Sequence, residues 1–240
     1  MDDNINDFEA QSTAEDGVNL GFTKELIDEI RDKKETNPGM FVSAWQDDNE
    51  GLEEKDMENP IEKWLTAAEE GDLDLMKSLI EEDGTRLNWK DSDGYTALHR
   101  ASYNNNIDVV KHLLSCGANK EARTNEGWTP LLSASNWANF GIVGSLLSNG
   151  ADVNALSNGN LTALHLAVNS TSEDPEDVYM TVKYLLQAPG KTLVIYFFFR
   201  KNFPGIDAGV IAGNGDTPLM MARRTSERLY NAIREFMERP

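Results

Sequence analysis

From Ile61 onward the apolar residues fall into short runs that come in pairs. The first run of a pair follows a threonine: Ala97, Leu98 and Ala101 after Thr96, then Leu131, Leu132 and Ala134 after Thr129. Ala163, Leu164 and Ala167 follow Thr162, and Leu219 and Ala222 follow Thr217. Leucine and alanine at i and i+3 share one helical face. The threonine hydroxyl accepts from the first free N–H groups, and Pro130 and Pro218 stand first in the helix, where a missing N–H costs nothing. The second run carries Val109, Val110, Leu113 and Leu114, and again Ile142, Val143, Leu146 and Leu147. Gly117 ends the first of these with a residue that tolerates the left-handed region. The pattern predicts helix–turn–helix units too small to bury their own apolar faces, so stacking must supply the core.

The units repeat. Gly94-Tyr-Thr-Ala-Leu-His-Arg-Ala101 returns as Gly127-Trp-Thr-Pro-Leu-Leu-Ser-Ala134 after 33 residues and as Asn160-Leu-Thr-Ala-Leu-His-Leu-Ala167 after 33 more, with Gly215-Asp-Thr-Pro-Leu-Met-Met-Ala222 further on. This period, with its Leu-Leu-x-x-Gly-Ala blocks, resembles the ankyrin repeat. The resemblance covers about residues 57–237. It implies an all-α ankyrin-repeat solenoid: helix–turn–helix repeats with short β-hairpin loops, about five including degenerate caps. The repeats are placed at 57–90, 91–123, 124–156, 157–211 and 212–237, within a domain at 57–240. The first lacks the signature, as a capping unit does, and the last closes with Arg223, Arg224, Arg228 and Arg234.

Two insertions disturb the fourth repeat. His99 precedes Leu114 by 15 residues, but His165 precedes Leu186 by 21. The six extra residues fall around Ser172–Asp177, read as a solvated acidic loop between helices. The second is Lys191–Gly205, whose Leu193–Phe199 core is far too short to span a bilayer and would be an aggregation hazard as an exposed strand. We expect it to be either a buried strand-like insertion or a translated short intron absent from the mature protein. Its removal shortens the Thr162–Thr217 spacing from 55 to 40 residues.

Charge sharpens the division. The net charge is -19, and residues 1–60 hold 18 acidic and 5 basic side chains. Residues 1–56 read as an acidic, largely disordered leader, with a short helix at 23–35 and an apolar cluster at Met40–Trp45. An acidic chain without a Lys/Arg cluster is a poor partner for nucleic acid or anionic membranes, so neither is expected. One cysteine, Cys116, and no secretory leader fit a reducing compartment, and the resemblance implies cytoplasm or nucleus.

Candidate chemistry is sparse. The resemblance gives His99 and His165 the signature position, where imidazole ties helix to hairpin. His112 belongs to a second helix and is expected at the surface. No ligands converge at metal-binding spacing, and no Ser/His/Asp set shows a nucleophile–base arrangement. Gly190-Lys-Thr192 looks like the end of a phosphate loop, but Leu185 stands where its first glycine belongs. Asp91-Ser-Asp-Gly94 mimics a calcium loop with Arg100 in the place of the required glutamate, so it reads as a turn. No enzyme, cofactor or metal is expected.

What the resemblance does imply is a concave groove of hairpin tips and inner helices that grips a protein partner. Carried over by position, it includes Tyr95, Tyr103, Asn104, Trp128, Asn136, Trp137 and Leu161. Exposed aromatics suit a binding anchor, with Trp137 foremost; the alternative for Tyr95 and Trp128 is packing of hairpin on hairpin. Asn154 stands in the Leu-x5-Asp-Val-Asn context of ankyrin asparagine hydroxylation, against its simpler reading as a turn residue. The expected function is a monomeric, non-catalytic protein-binding adaptor. The competing reading is a nuclear transcription-linked factor whose leader is the effector, and deleting residues 1–55 discriminates the two.

Overall fold

A computed structural model describes residues 57–188 and 205–238. The leader with its helix at 23–35, the phosphate-loop look-alike and residues 191–204 of the second insertion lie outside the described residues. Helices α1 (Pro60–Glu70), α3 (Ala97–Tyr103), α5 (Pro130–Asn136), α7 (Ala163–Val168) and α9 (Pro218–Thr225) pack one on the next as an inner layer. Helices α2 (Leu73–Glu82), α4 (Ile107–Ser115), α6 (Phe140–Ser148), α8 (Pro175–Leu186) and α10 (Glu227–Met237) form the outer layer. This is the all-α ankyrin solenoid, with no strand among the described residues.

The inner helices start where the threonines predict. The hydroxyls of Thr129, Thr162 and Thr217 accept from Leu132, His165 and Met220 N–H groups. At Thr96 and Thr162 a histidine completes the cap, because His99 and His165 accept the threonine's own N–H at 3.2 Å. That is the reciprocal arrangement of a capping box with imidazole in place of Glu or Gln.

Among the described residues the expected β-hairpin loops are turns, with a single antiparallel bridge from Lys90 to Thr96. One bond repeats in each: Asp91 N–H to Tyr95 C=O, Thr124 to Trp128, Ser157 to Leu161 and Ala212 to Asp216. Each turn links to the next by one backbone bond. Asn125 N–H donates to Asp93 C=O, Asn158 to Glu126 and Gly213 to Gly159. Close approach demands glycine at Gly127: its φ is 76°, and an added Cβ would lie 2.5 Å from Asn158 Oδ1.

The acidic insertion differs from its expectation as a loop. Asp174 Oδ1 accepts from Glu176 N–H at 2.8 Å, Pro175 takes the first helical position, and Glu176 and Asp177 sit in the first turn of α8. Those carboxylates complement the positive end of the helix dipole. The outcome is a helix of 12 residues where α4 and α6 have nine. The added turn also grips the last unit, since Glu176 pairs with Arg228 at 2.6 Å and Arg228 lies 3.6 Å over the Tyr179 ring.

The register resumes after the second insertion. Asp152 N–H donates to Glu121 Oε1, and Asp207 N–H donates to Asn154 Oδ1, both at 2.8 Å. Gly205 C=O accepts from Asn154 Nδ2 at 3.1 Å. Gly205, assigned from sequence to the inserted run, therefore belongs to the repeat.

Leu113, Leu146 and Leu185 are fully buried, along with Val110, Leu131 and Leu164. Leu113→Ala or Leu146→Ala should cost ~2–5 kcal/mol, the transfer and cavity cost of a buried leucine. Denaturant titration checks this, and a loss below about 0.5 kcal/mol would place the leucine outside the core.

Candidate partner-binding face

The inner helices end in a region built by periodic hydrogen bonding. Asn105 and Ala138 turn the chain in the left-handed region, at φ 59° and 54°. The residue after each is an asparagine that begins an outer helix without a side-chain cap to it. Its amide reaches back instead. Asn106 Nδ2 donates to Ala68 and Glu69 C=O at 2.9 and 2.7 Å, and Asn139 Nδ2 to Ser102 and Tyr103 C=O at 2.8 and 2.9 Å. Each asparagine thereby satisfies the orphan carbonyls that end the preceding inner helix.

Tyr103, the last residue of α3, and Trp137, which closes α5, meet at this edge. Their ring centroids are 4.8 Å apart with planes at 64°, and both are half-buried. Because Asn139 holds the Tyr103 carbonyl two residues beyond Trp137, one amide fixes the backbone under both rings. Asn104 and Asn136 flank them, also half-buried; Asn104 Nδ2 turns back to Arg100 C=O at 3.1 Å.

Other sequence-selected residues lie elsewhere. Tyr95 is 8% and Trp128 5% exposed, so neither ring is a surface anchor. Each stands between a left-handed glycine and the capping threonine, which turns it inward. Tyr95 lies edge-on to His99 at 5.7 Å, and Trp128 joins the core. Leu161 is half-buried against that core, away from any free anchor role.

Asn154 is engaged at both ends of its amide, by Gly205 and Asp207, and its N–H meets Asp152 Oδ1 at 3.2 Å. Its side chain thus bonds across to the next unit and not within its own turn.

In the sequence Arg100 stands out only as the residue that spoils the calcium-loop match, not for its structural role. Its side chain is 9% exposed and bridges Glu69 Oε2 at 3.0 Å and Asp91 Oδ2 at 2.9 Å, with Glu62 at 3.9 Å. The network ties α1 to α3 and to the first turn. A charged residue directly after the signature histidine, with acids at the end of α1 and the start of the turn, was the available signal. Tyr103 feels this surrounding: burial first, then the Glu69 charge, pushes its phenol up to about 12.

The histidines are structural. His99 is fully buried, with Nδ1 accepting Thr96 N–H and Nε2 3.1 Å from Trp128 C=O, which fixes the neutral Nε2–H form. His165 repeats this with Thr162 and Asp216 C=O at 3.2 Å. Half-buried His112 approaches exposed Cys116 at 3.7 Å, and no group of three or more metal-binding side chains occurs among the described residues. No described helix is long and apolar enough to cross a membrane.

Comparison with known proteins agrees with this architecture. A profile of ankyrin repeats in three copies matches residues 64–157. Ankyrin repeat domain-containing protein 49 of Drosophila melanogaster is 42% identical over 99 residues, covering 40% of this chain and 46% of the relative. The Bos taurus protein of the same name is 45% identical over 74 residues, 30% of this chain and 31% of the relative. Human ankyrin repeat domain-containing protein 39 is 46% identical over 76 residues, 31% of this chain and 38% of the relative. The chain thus matches less than half the length of these relatives. Ankyrin repeats generally mediate protein–protein interaction, and the family is generally non-enzymatic.

Burial pushes the His99 imidazole down to about 4, and His165 shifts the same way. An unfolded histidine titrates near 6.5, so the unfolded chain binds more protons and stability falls as pH drops from about 6.5 to 4. His99→Gln preserves the cap's acceptor and carries no titration. Its unfolding free energy should decline less steeply over that window, by up to one proton. Identical slopes for variant and parent would contradict the buried, neutral imidazole.

Proposed function

We propose that this chain, built of ankyrin repeats and similar to ankyrin repeat domain-containing protein 49, is a non-catalytic adaptor. It holds a protein partner on the concave side of its inner helices. The observation that supports this most is the Tyr103–Trp137 pair, two large aromatics left half-exposed at the ends of adjacent inner helices while the turn aromatics Tyr95 and Trp128 are buried. Aromatic anchors on a rigid frame lose little side-chain entropy on binding. In this reading the chain works as a monomer in the cytoplasm or nucleus, and needs no cofactor.

Asn154 is further proposed as a hydroxylation site. Its amide bonds to Gly205 and Asp207 mean that this junction must open for a modifying enzyme to reach it. A peptide covering Asn154 that never carries one added oxygen, where other ankyrin proteins are modified, would remove the proposal.

Trp137→Ala should weaken partner binding by more than ~1 kcal/mol with little change in melting temperature. Pull-down of parent and variant from the same extract, with the melting curve of each, checks both parts. A variant that unfolds would make Trp137 core. A folded variant that retains every partner would move binding off this face.

A further inference from the structure

We propose that the corner between Tyr103 and Trp137 seats a lysine or arginine side chain from a basic segment of the protein partner. This rests on the binding reading above and adds the chemistry of what binds. Two rings inclined at 64° with centroids 4.8 Å apart form adjoining walls. Aromatic faces carry negative potential, and indole and phenol are the strongest attractors of a cation among side chains.

The surroundings carry the same sign. Residues 57–156 hold 15 acidic side chains against 8 basic. Glu70 ends α1 one repeat before Tyr103 and is exposed, and Asp93 is exposed on the adjoining turn. Glu69 is close enough to act on the Tyr103 phenol.

Three cations of these repeats are held in place by contacts within the fold. Arg100 is held by Glu69 and Asp91 and is nearly buried. Lys90 Nζ donates to Arg123 C=O at 2.8 Å, and Arg123 Nη1 donates to Gly127 and Leu156 C=O at 3.2 and 2.7 Å. An acidic segment would be repelled here. An uncharged apolar segment would find a rim of Asn104 and Asn136 and gain nothing from the charge. A basic segment places its methylenes on the rings and its charge among the carboxylates.

The test uses the full chain and three labelled peptides of equal length and apolar content, bearing Lys/Arg, Glu/Asp or Ser/Gln, followed by fluorescence anisotropy. The basic peptide should bind tightest and weaken as salt rises. Trp137→Ala should weaken it at least about fivefold, the worth of one partly desolvated cation–π contact. Glu70→Lys, an exposed change that leaves the core alone, should weaken the basic peptide and favour the acidic one.

Binding of the basic peptide that ignores both Trp137→Ala and Glu70→Lys would overturn the proposal, because acidic surface elsewhere would then hold it. Equal binding of the neutral peptide, lost with Trp137→Ala, would overturn the cationic chemistry and leave the binding face standing. Loss of Trp137 dependence for all three peptides would sink both.

Discussion

Helix ends that must find their hydrogen bonds in the neighbouring unit are the constraint on which this structure depends. Helices α3 to α7 are six to nine residues long, so most of their backbone groups are terminal and lack an intrahelical partner. Alone, such helices are marginal in water. Asn106 and Asn139 close the carbonyl ends of the preceding inner helices, and His99 and His165 close the amide ends while reaching the next turn's carbonyl. Every unit is completed by the one beside it, which is why the apolar core is continuous.

The same bonding explains how the stack tolerates its insertions. Part of the six-residue insertion lengthens α8 from nine residues to 12, and the added turn becomes the support for Arg228 of α10. Beyond residues 189–204, Asp207, Gly213 and Asp216 take up the partners that the repeat prescribes. A surface carried on such a frame is held in place before any partner arrives, and the Tyr103–Trp137 pair inherits that order from Asn139.

Much of this was legible in the sequence because it is periodic. Threonine caps, the leucine pairs and the histidine role recur at fixed spacing, and repetition distinguishes a rule from an accident. Burial of single residues was less legible. Tyr95 and Trp128 occupy positions that the resemblance places on the groove, but a left-handed glycine before each turns the ring inward. The role of Arg100 escaped because one of its two close partners, Glu69, belongs to the preceding repeat, so the network exists only once α1 and α3 have packed together. The helix start at Pro175 was written as Asp-Pro-Glu-Asp, a cap signature that the acidic composition concealed.

The central claim is that the stack is one continuous unit through α10 despite the break in its sequence period. Native-state hydrogen exchange measures it directly. Amides at the centres of α5, α7 and α10 should report opening free energies within about 1 kcal/mol of one another, as expected of a single cooperative block. Exchange in α9 and α10 at a much lower free energy, with α5 and α7 still protected, would contradict it and end the continuous stack at α8.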